Sequence, residues 1–290
     1  MSSVVIELLQ KRLEFYKAAS AVQEELAIKE ILQETALYAL WRADFFDVAA
    51  FQGGTSLRIL HRLQRFSEDL DFILQTPDTA FKWEKYLPKV FTALEEFGLR
   101  SKLLDRSRMD QTVRKAVLKD DSISNQLKLS FDSGGHARTI SIKLEIDVHP
   151  PSGSSFEYRY LDFPLDFEVC QQDLPSNFAL KIHALLCRPY LKGRDWYDFN
   201  WYVKGRIRPN LLHLQSALRQ YGPWAGQGVE VDASWLSGVL TEKISAIDWR
   251  AAARDVERFL NSAERKSLSL WSERFFRAKV QQLADSMRSP

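Results

Sequence analysis

The stretch FQGGTSLRILHRLQRFSEDLDFIL, residues 51–74, carries most of the information about the fold. The apolar run DVAAFQ ends at Gly53-Gly54 and is typical of a buried strand. Thr55 has the chemistry of a helix N-cap or first turn, so a short helix is predicted to follow. The segment DLDFIL, residues 69–74, is predicted as the next strand. The stretch therefore predicts a strand, a glycine turn, a helix and a second strand.

Two carboxylates lie close together on the second of these strands. Asp69 and Asp71 occupy positions i and i+2, so their side chains share one face at a spacing of roughly 7 Å. Neighbouring anions without a cation between them are destabilising. A divalent ion removes the repulsion, and Mg²⁺ prefers oxygen ligands supplied by one or two carboxylates together with substrate phosphates. A solvated strand end shows the same pattern, so the metal hypothesis needs support from elsewhere in the chain.

The glycine turn before the helix is a candidate phosphate site. It consists of Gly53, Gly54, Thr55 and Ser56. Glycines let the backbone approach a phosphate closely, and helix N-terminal amides and hydroxyl groups bind the phosphate oxygens. A plain strand-to-helix turn would use the same residues, and the turn has neither the lysine of a Walker loop nor the spacing of a dinucleotide fingerprint. It indicates a triphosphate site only in combination with the carboxylates.

A later strand supplies further acids. The segment TISIKLEIDV, residues 139–148, alternates apolar and polar side chains, with Glu145 and Asp147 on the polar face. An edge strand with one wet face has the same alternation. Two-metal phosphoryl transfer requires carboxylates around the ions and a cradle for the triphosphate, and the three segments together provide this set. Either Glu145 or Asp147 could be the third acid, and the sequence does not separate them.

The remaining elements place these motifs in an α+β fold. Helical periodicity predicts helices over residues 3–19, 23–42, 55–63 and 82–97. A strand over 125–131 is predicted to form a hairpin with 139–148 through the turn DSGGHA, and FEYRYLDF and DFEVC are further extended segments. The pattern becomes helical after residue 173. We predict a mixed sheet with flanking helices over residues 1–172 and a C-terminal helical domain over 173–290.

Composition excludes some classes of protein and leaves others open. With 45% hydrophobic residues and a net charge of +2, the 290-residue chain is typical of an ordinary globular protein. The two cysteines, Cys170 and Cys187, have no CxxC spacing, which argues against a disulfide framework or a zinc site and fits a reducing cytoplasm. The sequence contains no run of about 18 apolar residues, so no membrane span is expected and a cytoplasmic protein is predicted.

A near-neutral total charge neither requires nor excludes nucleic acid as a partner, because a basic groove can be balanced by acids elsewhere. One basic stretch lies near VKGRIR, where a solvated charge run is the plain alternative. Its candidate RNA-binding residues are Lys192, Arg194, Lys204, Arg206 and Arg208.

The motifs resemble known families. A glycine pair, a short spacer and Asp-x-Asp are similar to the signature of polymerase-β-like nucleotidyltransferases, with the spacer here running from Ser56 to Glu68. The segment FALKIHALLCRPYLKGRDWYDFNWYV, residues 178–203, resembles the later motif of the AbiEii/AbiGii nucleotidyltransferases, toxin-like proteins of abortive-infection and type IV toxin–antitoxin systems. The matching positions are Lys181, Ala184-Leu185, Arg188, Arg194-Asp195 and Asp198. Without the resemblance, these charges would be interpreted as surface residues and an exposed i,i+4 pair.

The resemblance implies a role for each matching residue. Catalytic roles are implied for Asp69, Asp71, Lys181, Asp195 and Asp198. Nucleotide-binding roles are implied for Gly53, Gly54, Thr55, Ser56, Arg58 and Lys181. The candidate metal ligands are Asp69, Asp71, Glu145 and Asp147.

The implied reaction is transfer of a nucleoside monophosphate from an NTP, with Mg²⁺ or Mn²⁺ as cofactor. The implied acceptor is RNA, with a tRNA 3′ end as one example, and a protein side chain is the lesser alternative. The implied role is that of a toxin opposed by a separately encoded antitoxin that need not bind it. Two alternatives stay open at this point: a small-molecule nucleotidyltransferase of the kind that modifies antibiotics, and a non-catalytic nucleotide-binding module of the same fold. The intact set of acids argues against the second.

Overall fold

The computed structural model describes residues 3–131 and 139–288. It divides into two compact units, one formed by residues 1–150 and 156–171 and the other by residues 151–155 and 172–290. The first unit carries the sheet, and the helices of the second unit follow it along the chain. The α+β class predicted from the sequence is confirmed.

The helices differ from their predicted bounds mainly at their ends. The α-helices of the described residues are Ser3–Phe15 (α1), Ala21–Arg42 (α2), Gly53–His61 (α3), Leu87–Glu96 (α4), Ile123–Gln126 (α5), Leu174–Cys187 (α6), Gly193–Lys204 (α7), Leu211–Gln220 (α8), Ala233–Ser245 (α9), Trp249–Glu257 (α10), Ser262–Ser267 (α11) and Glu273–Arg288 (α12). Short 3₁₀ helices cover Phe45–Asp47, Trp83–Lys85 and Leu268–Leu270.

A capping serine and a first-turn proline explain where two of these helices begin. The side chain of Ser20 accepts a hydrogen bond from the Gln23 amide, 3.3 Å away, so α2 starts earlier than its apolar periodicity predicts. In α4, Pro88 lies in the first turn, where a missing amide hydrogen is tolerated. The proline therefore marks the start of a helix, and the predicted segment 82–97 is divided between a 3₁₀ turn and α4.

The sheet has seven strands among the described residues, in the order β3-β4-β5-β2-β1-β7-β6. The strands are Ala49–Gln52 (β1), Leu70–Leu74 (β2), Ser101–Asp105 (β3), Val113–Asp120 (β4), Ile140–Asp147 (β5), Phe156–Leu161 (β6) and Phe167–Gln172 (β7). β2 pairs with β5 in parallel and with β1 in antiparallel orientation, so the two predicted acidic strands are direct neighbours.

The predicted strand over 125–131 is wrong. The antiparallel partner of β5 is β4, which adjoins β5 along its whole length, and residues 123–126 form the short helix α5. The side chain of Asp120 explains the change of direction, because it accepts hydrogen bonds from the amides of Ser122 (2.9 Å) and Ile123 (2.7 Å) and so ends the strand. The predicted turn over residues 132–137 lies outside the described residues.

The second unit has its own core of aromatic side chains. Trp249 stacks on Phe276 with ring centroids 4.1 Å apart, and Trp196 packs edge-on against Trp249 at 5.1 Å. These rings join α7, α10 and α12. The segment 151–155 belongs to this unit because its backbone is held there. The Ser152 carbonyl lies 2.9 Å from Nδ1 of His213, a buried residue on α8.

None of the helices in the part of the chain that the structure describes is long and apolar enough to cross a membrane.

Candidate active site

The glycine turn and the Asp-x-Asp strand are in direct contact. Gly53 has a φ of +78°, a left-handed conformation that favours glycine, and it begins α3 instead of preceding it. A Cβ atom at Gly53 would lie only 2.8 Å from Oδ2 of Asp71. The carboxylate of Asp71 therefore packs against the glycine, and the first residue of α3 has to be free of a side chain.

We predict that Gly53→Ala lowers both stability and activity, because it adds a left-handed strain of about 1–2 kcal/mol and displaces the Asp71 carboxylate. The matched control is Gly226→Ala. Gly226 has a similar φ of +72° but no atom of the described residues within 4 Å of its ideal Cβ. Both variants should lose similar stability in chemical denaturation, and only Gly53→Ala should lose nucleotidyl transfer. Equal activity in the two variants would show that the contact with Asp71 has no catalytic importance.

Gly54 is needed for a different contact. An added Cβ would lie 2.1 Å from Nη2 of Arg65, a residue that is almost fully buried. Nη1 of Arg65 donates to the Phe66 carbonyl at 3.0 Å, which restricts movement of the guanidinium. Sequence reasoning missed Arg65, although it lies inside the quoted motif. A buried arginine in a loop has no periodicity by which to recognise it.

Two hydroxyl groups of the turn are used inside the protein. Thr55 is fully buried, and its hydroxyl donates to the Asp69 carbonyl. This hydrogen bond connects the first turn of α3 to the residue before β2. The Ser56 hydroxyl donates to the Gly53 carbonyl at 2.9 Å and is also buried. These hydroxyl groups therefore organise the turn. The Gln52 side chain does not cap the helix, and the N-terminus of α3 carries the positive end of the helix dipole, which favours an anionic ligand.

Arg58 likewise contributes to the support of α3. Its Nε lies 2.8 Å from Oε2 of Glu30, a buried glutamate on α2, and its Nη1 donates to the Leu63 carbonyl at 2.9 Å. The guanidinium also lies 4.5 Å from the ring centroid of Phe66. The side chain is half-buried and anchors α3 to α2.

The strand register distinguishes the two candidates for the third acid. Asp71 is the register partner of Glu145 on β5, so their side chains stand side by side on one face of the sheet, at the roughly 4.8 Å spacing of adjacent strands. Asp147 is level with Ile73, two residues further along each strand. Its Oδ1 accepts the His149 amide at 3.0 Å, and burial raises the pKa of its carboxyl group.

The acids do not form a ready metal cluster. Within residues 3–131 and 139–288, no group of three or more His, Cys, Asp or Glu side chains is positioned to hold a metal ion. Oε1 of Glu145 instead lies 3.0 Å from Nζ of Lys115, and both side chains are partly exposed. Such a pair contributes at most about 1 kcal/mol, so a hard cation with oxygen preference can compete for the carboxylate. Asp69 lies one residue before β2 and has no strand partner among the described residues, whereas Asp71 and Glu145 are paired in register. The oxygen donors of these three carboxylates fit a divalent ion after side-chain rearrangement.

The second unit brings the residues of the later motif together. Nζ of Lys181 lies 2.9 Å from Oδ1 of Asp195 and 2.9 Å from Oδ2 of Asp198. Arg188 forms an ion pair with the other oxygen of Asp195. Asp198 is fully buried, and Lys181 and Asp195 are nearly so. Lys181 on α6 is thus tied to both acids on α7, and these charges form an internal network instead of the surface pairs of the plain alternative.

Charge in this network lowers the pKa of Asp195. Burial alone would raise it, but Lys181, Arg188 and Lys192 outweigh burial and hold the carboxyl below its usual value. Burial of Lys192 lowers the pKa of its ammonium group. The Asp195 carboxylate partly offsets this shift, and the neighbouring cations add to it. Asp195 is therefore a carboxylate at neutral pH, held by cations from α6 and from the loop between α6 and α7.

Comparison with solved structures finds a protein of similar fold. A candidate nucleotidyltransferase from H. pylori, known as a crystal structure, aligns with a TM-score of 0.51 and 15% identity over 91% of this chain and 96% of that chain. JHP933 from Helicobacter pylori aligns with a TM-score of 0.47 and 15% identity over 91% of this chain and 90% of that one. At this identity the first alignment shows the fold alone. No curated protein matches the sequence.

Residues 35–281 match the family described as nucleotidyl transferase AbiEii toxin, type IV toxin–antitoxin system. The match covers most of the chain, and the chain belongs to this family. It is a nucleotidyltransferase of a toxin family, with a nucleotide as substrate and an antitoxin as its counterpart. The resemblance found in the sequence motifs is confirmed.

Proposed function

We propose that this nucleotidyltransferase moves a nucleoside monophosphate from an NTP to a hydroxyl group of RNA, with a tRNA 3′ end as the expected acceptor. Asp69, Asp71 and Glu145 would hold the divalent ion, Mg²⁺ or Mn²⁺. The observation that carries this proposal is the side-by-side register of Asp71 and Glu145 next to the glycine start of α3. Oxygen ligands on adjacent strands beside the positive end of a helix dipole suit a metal-bound triphosphate.

The reaction follows from these groups. The acceptor oxygen attacks the α-phosphorus, the bond from that phosphorus to the bridging oxygen of the β-phosphate breaks, and pyrophosphate leaves with the electron pair. The carboxylate of Glu145 accepts the proton of the acceptor hydroxyl. The first-turn amides of α3 donate to phosphate oxygens and hold the donor in line. The divalent ion, when bound, neutralises phosphate charge and polarises the reacting phosphoryl group.

Register predicts different outcomes for the two acids of β5. Glu145→Gln should reduce the rate of transfer by about 10²-fold or more. It removes a carboxylate beside Asp71 that is also the proposed general base, and general base catalysis typically contributes about 10²–10⁴-fold to the rate. Asp147→Asn should retain most activity, since that side chain is level with Ile73 and is used by the His149 amide. Initial rates at saturating NTP would measure both. The reverse ranking would make Asp147 the third acid.

A basic segment at the end of α7 supports RNA as the acceptor. Lys204, Arg206 and Arg208 are exposed and form no ion pair with any residue that the structure describes. Arg206 also has a φ of +57°, so the chain turns sharply within the segment. Exposed, uncompensated cations favour a polyanion, because each phosphate contact releases bound counterions.

Modification of an RNA needed for translation would stop growth, and this is the action we propose for the toxin in the cytoplasm. An antitoxin of a type IV system opposes the effect, so it need not bind this chain. Abortive infection, in which an infected cell stops growing, is the setting we propose for this action.

The experiment that tests the proposal supplies each labelled NTP in turn with Mg²⁺ or Mn²⁺ and a cell extract divided into RNA, protein and small-molecule fractions. Label in the RNA fraction, absent when the ion is chelated, is the expected result, and sequencing of the labelled RNA identifies the acceptor. Label only in the small-molecule fraction would replace RNA with a low-molecular-weight acceptor. Label only in protein would also overturn the RNA assignment.

A further inference from the structure

The second unit contains a small cationic cavity beside the Lys181 network. It has a volume of about 200 Å³ and lies where the end of α6, the start of α7 and the end of α9 meet. Its charged lining consists of Arg188, Lys192, Lys243 and Asp195. The lining therefore has three cations and one carboxylate. That carboxylate already forms ion pairs with Arg188 and with Lys181, which is not part of the lining.

Two of the cations have no partner of their own. Across the described residues, the ammonium groups of Lys192 and Lys243 form no hydrogen bond or ion pair, although both side chains are partly buried. Burial lowers the pKa of Lys192, the Asp195 carboxylate partly offsets this, and the neighbouring cations lower the pKa further, so nearby positive charge exceeds nearby negative charge around this ammonium group. An anionic ligand would relieve this repulsion.

We propose that this cavity binds a phosphate group of the acceptor RNA, an inference that rests on the proposed function. A cavity of about 200 Å³ is smaller than the roughly 300–1,000 Å³ of typical small-molecule sites, so it suits one phosphate of a longer chain. Tyr190 at its rim is 63% exposed, with the Arg188 guanidinium 5.2 Å from the ring centroid. An exposed ring beside a phosphate site is able to stack a base.

The extent of the cationic surface favours a polynucleotide over the donor NTP. Lys192 precedes the first residue of α7, and the exposed basic segment begins at its last residue, Lys204. At 1.5 Å per residue the 12-residue helix separates the two groups by about 18 Å. An RNA strand with successive phosphates is long enough to contact both groups.

The test measures binding of a fluorescent single-stranded RNA as a function of salt concentration, for the full chain and for Lys243→Ala and Lys192→Ala. Loss of one phosphate contact should weaken binding and reduce the slope of log K against log salt by about 0.7. Lys266→Ala is the matched control, because this exposed lysine on α11 lies outside the cavity. It should keep the wild-type slope, and all variants should keep the wild-type melting temperature and affinity for NTP.

Unchanged RNA affinity and slope in both cavity variants would overturn the inference while the RNA acceptor itself stands. A loss of NTP affinity with an unchanged RNA slope would assign the cavity to the donor triphosphate and also overturn it. A wild-type protein that binds no RNA would overturn both this inference and the proposed acceptor. The labelling of RNA in the preceding experiment separates these cases.

Discussion

Asp71→Asn should reduce nucleotidyl transfer by about 10³-fold while leaving the protein folded. Metal ions contribute several kcal/mol of charge stabilisation in the transition state, and loss of about 4 kcal/mol corresponds to roughly 10³-fold. Asparagine keeps the shape of the side chain beside Gly53 and Glu145 but removes its negative charge. Initial rates at saturating NTP and divalent ion, with circular dichroism as the check on folding, measure the effect.

The control for this experiment is Asp110→Asn. Asp110 is exposed in the same unit and makes no hydrogen bond or ion pair within the described chain, so its loss changes the net charge alone. It should retain wild-type activity. Near-normal transfer by Asp71→Asn would remove the metal-binding assignment of this carboxylate, whereas equal losses in both variants would point to net charge as the cause.

Lys181→Met should destabilise the second unit by about 3–5 kcal/mol, the usual effect of removing one partner of a buried ion pair. Methionine replaces the stem but leaves Asp195 and Asp198 without their 2.9 Å contacts to the ammonium. Asp198 is fully buried, so water cannot replace the lost contact. Urea denaturation followed by tryptophan fluorescence, to which the buried Trp196 of the second unit contributes, measures the change.

Lys204→Met gives the matching measurement at an exposed lysine at the end of the neighbouring helix α7. It should change stability by less than about 0.5 kcal/mol, as expected for a surface substitution. A similarly small effect in Lys181→Met would mean that the two aspartates are adequately held by other groups. The network would then have to be explained by catalysis instead of folding.

The fold around the acids could be predicted because local signals agree there. The glycine pair, the helix and the alternating pattern of β5 each indicate one local structure, and their chain order leaves few topologies. The region between α4 and β5 was predicted wrongly, because the strand β4 is rich in charge and its end depends on the side chain of Asp120. A hydrogen bond from one side chain to nearby amides leaves no trace in the apolar periodicity of the sequence.

The sequence was sufficient to predict which residues belong to the candidate site, but not how they are arranged. Glu145 and Asp147 lie on the same face of β5, so only the pairing with β2 shows which of them is level with Asp71. The buried contacts of Thr55 and Arg58 depend on a strand carbonyl and on α2, both distant in sequence. Sequence gives the chemical character of these groups, and tertiary packing decides whether they face a ligand or the core.

The most direct measurement compares two labels on the same donor. Wild-type protein and Asp69→Asn are incubated with RNA, a divalent ion and an NTP labelled at either the α- or the γ-phosphate. Nucleotidyl transfer predicts that the α-label enters RNA, that the γ-label is released as pyrophosphate, and that both events are lost in Asp69→Asn. Entry of the γ-label into RNA, or equal transfer by the variant, would contradict the account.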